Sequence, residues 1–405
     1  MKQQVALPST TRSHRLASTD VLIIGGGIIG CATAYYLARE GVDVVVIDRN
    51  DVNAESSGSN AGSLHAMMIS RFFKSVDPLW VRSREELLPL LLRAIATWRE
   101  LAGELGRDID LKLSGGLMVA ETQEQLEVLE QKAEVELRHG LDVDILTGSD
   151  LRRAAPYLSP SIIGAERCAN EGKVSPILAT PALAEGAKQG GARILHSTEL
   201  LALNATDKGY EAQTSAGVIA ARRVVNAAGA SASKVGAMAA IRLPIRRFPR
   251  HMNVTEAGPA LFAPLLQHAG RLLSLKQASN GTVLIGGGWP SEPDETKSRL
   301  RIKRTSIEGN LGAARSVVPG VSRLRLLRTW PGVIVLTPDG NGILGEVPNR
   351  PGLFNAVPPN MGYTASPLCA RLLTEVMLGK SLSLDISSLA VDRFSVYGAR
   401  LGGRS

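Results

Sequence analysis

Cysteine is scarce in this chain of 405 residues: three occur, Cys31, Cys168 and Cys369, far apart and never as C-x-x-C. That spacing excludes a disulfide framework, a structural zinc site and an iron–sulfur cradle built within the chain, and no metal site is expected. Aromatic residues make up 4% of the sequence, and the arginine clusters at 242–250 and 299–304 have almost none between them. The net charge of +8 therefore lacks the interleaved pattern of a nucleic-acid surface and is read as scattered solvated charge. Residues 1–19 contain no apolar core, which excludes a secretory signal; they are expected to form a disordered leader. With no disulfide framework and no signal, the expected setting is reducing and cytoplasmic, with peripheral membrane attachment through a partner left open. The stretch Val21–Ala38 carries no charge and is long enough to cross a bilayer, but four of the six residues from 25 to 30 are glycine. Such a run suits a turn, so no transmembrane segment is expected.

The same stretch is the most informative in the chain. Val21–Ile24 is a short β-branched run that predicts a buried strand of a parallel sheet. Gly25-x-Gly27-x-x-Gly30 follows at once, Ile28 to Arg39 has helical spacing up to Gly41, and Val42–Ile47 predicts a second buried strand closed by Asp48. Gly25 permits the sharp turn, Gly27 permits close approach of a pyrophosphate, and Gly30 lets the helix lie close to the sheet. The free N–H groups at the helix start favour an anion, and Asp48 is placed to accept ribose hydroxyls. These residues predict a dinucleotide site without separating FAD from NAD.

Farther along, Ser56 to Ser63 is a run of small polar residues suited to close backbone approach. Helices are expected over 84–105 with a bend at Pro89, over Thr122–Arg138, and from the Glu171-Gly-Lys-Val-Ser-Pro segment to Gln189. In the second of these, Leu126, Leu129, Ala133 and Leu137 form the apolar side and the charges a solvated face. Ala221–Ala230 reads as a strand ending in small residues. Residues 241–330 alternate strand-like runs with turns, as in an antiparallel sheet. Leu353–Val357 is a last strand, and Ser366 as N-cap with Pro367 at the first position predicts a helix over Leu368–Leu378. The expected architecture is an α/β fold: a discontinuous Rossmann-like cofactor domain (20–95, 165–237, 328–390) and an α+β substrate domain with an antiparallel sheet (96–164, 238–327), followed by a tail from 391 to 405.

The Gly25–Asp48 motif, Ser57-Gly-Ser-Asn-Ala-Gly-Ser-Leu-His65, Val224-Val-Asn-Ala-Ala-Gly-Ala230, Thr337-Pro-Asp-Gly340 and Met361-Gly-Tyr-Thr-Ala-Ser-Pro367 occur in one order over residues 20–385. In this the chain resembles the D-amino-acid oxidase and glycine oxidase family of FAD-dependent amine oxidoreductases. Ser-Asn-Ala-Gly-Ser-Leu-His and Glu171-Gly-Lys-Val-Ser-Pro are similar to the catalytic β subunits of heteromeric dehydrogenases, among them those of opine oxidase, D-hydroxyproline dehydrogenase and hydrogen cyanide synthase. The resemblance implies FAD as cofactor and oxidation of a CH–NH bond in an amino acid, imino acid or opine, with hydride passing to the flavin and the imine then hydrolysed. It implies cofactor contacts from Gly25, Gly27, Ile28, Ile29, Gly30, Asp48 and Arg49, from Ser56, Ser57, Asn60, Ala61, Gly62 and Ser63, from Ala228 and Gly229, and from Asn360, Met361, Gly362, Tyr363 and Thr364. It also implies, as electron partner, a second polypeptide that carries a flavin or an iron–sulfur centre. A self-contained oxidase producing peroxide and a non-catalytic electron-relay flavoprotein are the competing readings.

One departure bears on the substrate. Simple amino-acid oxidases of this family often hold the substrate carboxylate with an arginine on the strand before Thr-Pro-Asp-Gly. No arginine occurs here between Arg328 and Arg350. A buried carboxylate needs a partner, and Arg250, His251 and His65 are the substitute candidates, with Tyr363 a further catalytic candidate. The departure weakens the case for a glycine-type substrate and leaves room for a bulkier secondary amine.

Overall fold

The computed structural model describes residues 15–73, 78–294 and 299–394. The uncharged run at Val21 ends a strand, Arg15–Ile24, at the centre of an eight-stranded sheet. Its order is Ile343–Glu346, Leu353–Val357, Gly217–Asn226, Arg15–Ile24, Val44–Ile47, Arg193–Leu195, with Leu200–Thr206 and Gly209–Thr214 added beside Gly217–Asn226. The central pairings are parallel. Strand alternation divides the side chains between two cores. Val21, Ile23, Val44 and Val46 face the helices Ile28–Arg39, Pro176–Gln189 and Gly362–Met377. Leu22, Ile24, Val45 and Ile47 face the opposite side with Leu200, Tyr210 and Ile219. Both faces are covered, so these strands are continuous apolar runs in the sequence.

A second eight-stranded sheet runs Leu326–Leu336, Arg246–Ala257, Thr282–Gly286, Ser274–Gln277, Leu265–His268, Gly116–Ala120, Gly164–Cys168, Val143–Thr147. All its pairings are antiparallel except Leu265–His268 with Gly116–Ala120. The fold class is as expected, an α/β Rossmann-like unit joined to an α+β unit.

Several local expectations change. Residues 15–19, expected in the leader, belong instead to the first strand, held by parallel pairing to 218–221; residues 1–14 lie outside the described residues. The expected bounds at 165 and 328 cut through strands of the second sheet. The expected tail begins with anchored residues, because Arg393 bonds both carboxylate oxygens of Asp339 at 2.8 and 3.1 Å; 395–405 lie outside the described residues. The helix Gln123–Arg138 buries Leu126, Leu129 and Ala133, but Leu137 is 53% exposed. Its charges are not all solvated: Lys132 and Glu136 are 0% exposed, with Glu166 of the second sheet against them. The helix expected from Leu368 starts instead at Gly362, and Ser366 and Pro367 lie inside it. Among the described residues, no helix is long and apolar enough to cross a membrane, and no group of His, Cys, Asp and Glu is arranged to hold a metal.

Candidate active site

The glycine turn is fixed by what surrounds it. Gly25 has φ +117°, and a Cβ there would lie 2.4 Å from the Ala227 carbonyl oxygen; a Cβ on Gly30 would lie 2.0 Å from the Gly25 oxygen. Neither position can carry a side chain without moving backbone. Asp48 ties the turn to the second strand by accepting from the Gly26 N–H at 2.7 Å through Oδ2, while Oδ1 accepts from the Asn50 N–H at 2.7 Å. Ser57 Oγ accepts from the Ile28 N–H at 2.9 Å, directly over Gly27.

A cavity of about 770 Å³ opens along this turn. Two helices begin at its wall, Ile28–Arg39 after Gly27 and Gly362–Met377 after Met361. Neither start has a side-chain cap from its N-cap residue or an acidic residue in its first turn, so the positive ends of both dipoles are available to an anionic ligand. Ser63 Oγ is buried in this wall with no hydrogen-bond partner among the described residues. Gly62 admits no Cβ, since the Val174 oxygen would lie 2.0 Å from it. A long ligand with anionic groups and polar edges fits these walls, as FAD requires.

The expected cofactor residues gather here with two exceptions. Gly25, Gly27, Ile28, Ile29, Asp48, Arg49, Ser56, Ser57, Asn60, Ala61, Gly62, Ser63, Ala228, Gly229, Asn360, Met361, Gly362 and Tyr363 all line the cavity. Gly30 packs beneath the turn instead of facing the cavity. Thr364 also stays outside the lining; its hydroxyl accepts from the His65 N–H at 3.1 Å, which makes it a support for His65.

The candidates for catalysis separate by strand alternation. Phe248, Arg250 and Met252 occupy alternate positions on Arg246–Ala257 and all line the cavity. His251, Asn253 and Thr255 take the other face and are buried. The His251 ring is 3.2 Å from Asn253 Nδ2 and burial pushes its pKa down; it too lines the cavity, but its side chain lies on the strand face opposite Arg250. Arg250 stands opposite Gly332 in the neighbouring strand, so a guanidinium is supplied from beside the strand that lacks one. Its hydrogen bond goes to the Pro249 carbonyl, its head lies 5.5 Å from the Phe248 ring centre, and no carboxylate pairs with it among the described residues. Burial lowers its pKa, as for a cation short of solvent.

His65 leaves the small-residue loop at the cavity wall. Its Nε2 is 3.3 Å from Ser274 Oγ, and its Nδ1 is 3.1 Å from Gln267 Nε2 and 3.5 Å from Glu171 Oε2. Tyr363 does not join this group. Its ring stacks on Trp98 at 5.6 Å, its hydroxyl lies 3.3 Å from Thr180 Oγ1, and burial raises its pKa, so its hydroxyl is engaged apart from the His65 group. Sequence reasoning does not find Gln267, Ser274 and Glu171 as neighbours of His65. The one signal for the first two is polar residues set in short apolar strands, as in Leu265-Leu-Gln-His268.

The comparisons agree with this geometry. A family model described as "DAO: FAD dependent oxidoreductase" matches residues 20–376. An opine oxidase subunit of Rhizobium meliloti is 26% identical, over 94% of this chain and 99% of that protein. The hydrogen cyanide synthase subunit HcnC of Pseudomonas aeruginosa is 29% identical, over 93% of this chain and 96% of that protein. The crystal structure of glycine oxidase from Geobacillus kaustophilus superposes with a TM-score of 0.82 at 27% identity, covering 93% of this chain and 99% of that one. A glycine-turn cavity with two helix starts at its wall, matched along most of the chain by these relatives, belongs to the DAO family of FAD-dependent oxidoreductases, and the chain is an enzyme of that family acting on CH–NH or CH–NH2 groups of amino-acid-like substrates.

Proposed function

We propose that this chain is the amine-oxidising subunit of a heteromeric dehydrogenase whose substrate is a secondary amine carrying a carboxylate, such as an imino acid or an opine. The observation that carries the reading is Arg250: a cavity-lining guanidinium with no acidic partner among the described residues, beside a strand without arginine. A guanidinium short of a counter-ion is suited to a substrate carboxylate. FAD, held along the glycine turn and the start of the helix Gly362–Met377, supplies the two-electron acceptor. His65 Nε2, beside Ser274, is placed to take the amine proton. The positive end of the helix at Gly362 favours negative charge accumulating at that wall. Phe248, Met252, Leu273 and Val335 supply apolar walls that exclude water and strengthen these charges. The names of relatives described as subunits support the heteromeric part of the reading. Likeness to a glycine oxidase favours a second reading, a self-contained oxidase passing electrons to oxygen.

A panel of amines scored by anaerobic bleaching of the bound FAD tests the proposal. Carboxylate-bearing secondary amines are expected to bleach it and their esters are not. Arg250→Met is expected to retain FAD and to lower kcat/KM for the carboxylate substrate by about 2–4 kcal/mol, roughly 30- to 1000-fold. Equal bleaching by acid and ester would remove Arg250 from substrate binding.

A further inference from the structure

We infer that Glu171 is a positioning residue that fixes the tautomer of His65 with the proton on Nδ1, leaving the Nε2 lone pair facing the cavity. The inference rests on the reading of His65 as the group that takes the substrate's proton.

Glu171 is 0% exposed. Its Oε1 accepts from the Ala66 and Met67 N–H groups at 2.8 and 3.0 Å, so the carboxylate holds the backbone that follows His65. Its Oε2 turns to His65 Nδ1 at 3.5 Å. The carboxylate passes directly over Gly116, where a Cβ would lie 2.1 Å from Oε2. The backbone of the neighbouring strand is therefore free of a side chain where Glu171 needs the space.

Two neighbours make opposite demands on the ring. Gln267 Nε2 lies 3.1 Å from Nδ1 and would need a lone pair there, whereas Glu171 needs an N–H. A glutamine amide exchanges its two ends by a half-turn, and a carboxylate has only acceptors to offer. Glu171 decides, Nδ1 carries the proton, and Gln267 presents its oxygen. Nε2 is then an acceptor, satisfied by the Ser274 hydroxyl at 3.3 Å until a substrate N–H takes that place. In the step this serves, an ammonium substrate gives one proton to Nε2. The nitrogen keeps the electron pair of that N–H bond, and no C–N bond breaks.

Other ionisable groups lie on the surrounding elements. Glu136, paired with Lys132, accepts from the Met68 N–H at 2.6 Å. Glu166 and Cys168 lie on the strand Gly164–Cys168, Lys173 lies next to Gly172, and Lys276 lies beyond Ser274 on its strand. Of these and Glu171, only Glu171 bonds the His65 ring among the described residues.

Glu171→Gln tests the inference in FAD-loaded protein. The amide oxygen still serves Ala66 and Met67, while the amide N–H₂ replaces Oε2 and donates to Nδ1, which moves the ring proton to Nε2. The expected result is wild-type FAD loading and melting temperature with about 10²- to 10⁴-fold slower anaerobic bleaching, the range for a general base. Nitrogen-15 NMR, with His65 assigned by its loss in His65→Asn, should find the proton on Nδ1 in the wild type and on Nε2 in the variant. A purely structural Glu171 would leave the tautomer unmoved. Gly116→Ala, which pushes Glu171 aside without changing its chemistry, should slow bleaching in the same direction. Wild-type tautomer and rate in Glu171→Gln would overturn this inference alone, whereas a wild-type rate in His65→Asn would overturn the proton-taking reading beneath it.

Discussion

At Lys132 a charge that reads as part of a solvated helix face is turned inward. Its Nζ lies 2.8 Å from Glu136 and 2.5 Å from Glu166, and all three side chains are 0% exposed. Burial opposes the ammonium charge, but the two carboxylates outweigh it and hold Lys132 above the ordinary lysine value. Burial and Glu136 together push Glu166 well above the ordinary carboxyl value against the pull of Lys132. Lys132→Met leaves Glu136 without a counter-ion, and we expect a loss of about 3–5 kcal/mol in the unfolding free energy of FAD-loaded protein measured in urea, with much of it recovered when Glu136→Gln and Glu166→Gln are added. A triple variant no more stable than the single one would mean that packing, not charge, decides the site. This residue was illegible in the sequence because an i, i+4 Lys–Glu pair has the same spacing on a surface as in a core. Its reason lies in Glu166, on a distant strand. The glycine turn was legible because strand, turn, helix and acid follow one another within residues 21–48, although the clash that demands glycine at Gly25 comes from Ala227, far away in sequence.

Among the elements, the helix Gly362–Met377 departs most usefully from expectation. Ser366 followed by Pro367 has the composition of a helix start, yet Ser366 Oγ donates back to the Gly362 carbonyl at 2.5 Å and is fully buried. The true start is made by Met361 in the left-handed region at φ 66°, its N–H bonded to the Asn360 side chain at 3.0 Å. Asn360, Met361 and Gly362 thereby stand at the cavity wall, and the helix end reaches the site instead of stopping a turn behind it. Backbone geometry of this kind leaves little trace in composition. The strands Val44–Ile47 and Leu353–Val357, whose burial on both faces forces continuous apolar runs, were readable almost to the residue. Gly362→Asp places a carboxylate at the positive helix end; a Cβ there meets Pro358 Cγ at 3.1 Å, a contact the proline ring can yield. The reduction potential of bound FAD is expected to fall by about 0.3–1 kcal/mol equivalent, roughly 7–22 mV for a two-electron couple. An unchanged potential in spectroelectrochemical titration would remove this helix end from the electrostatics of the cofactor.

For the whole molecule, the question is where electrons go after the amine is oxidised. The family match extends over residues 20–376, and relatives described as subunits of opine oxidase and hydrogen cyanide synthase cover nearly the full chain. Cys31, Cys168 and Cys369 are each buried and unpaired, so they offer no shared ligand set for an onward iron–sulfur carrier. The net charge of +8 is compatible with docking an acidic partner, whose approach would be faster at low ionic strength. We expect the chain expressed alone to be reduced by substrate under anaerobic conditions, to turn over with an artificial dye, and to react slowly with oxygen. Co-expression with the products of neighbouring genes should yield a co-purifying polypeptide with a second flavin or an iron–sulfur centre, and turnover through that carrier should fall as salt rises. The two readings of the function differ here because any flavin reduced by two electrons must be emptied before the next turnover. An oxidase does this with oxygen at the cavity, and a heteromeric dehydrogenase does it through a surface. Full amine turnover with one peroxide per amine from the isolated chain, insensitive to salt and to any partner, would establish the oxidase and sink the heteromeric reading, while leaving the roles of Arg250 and His65 to be judged by their own variants.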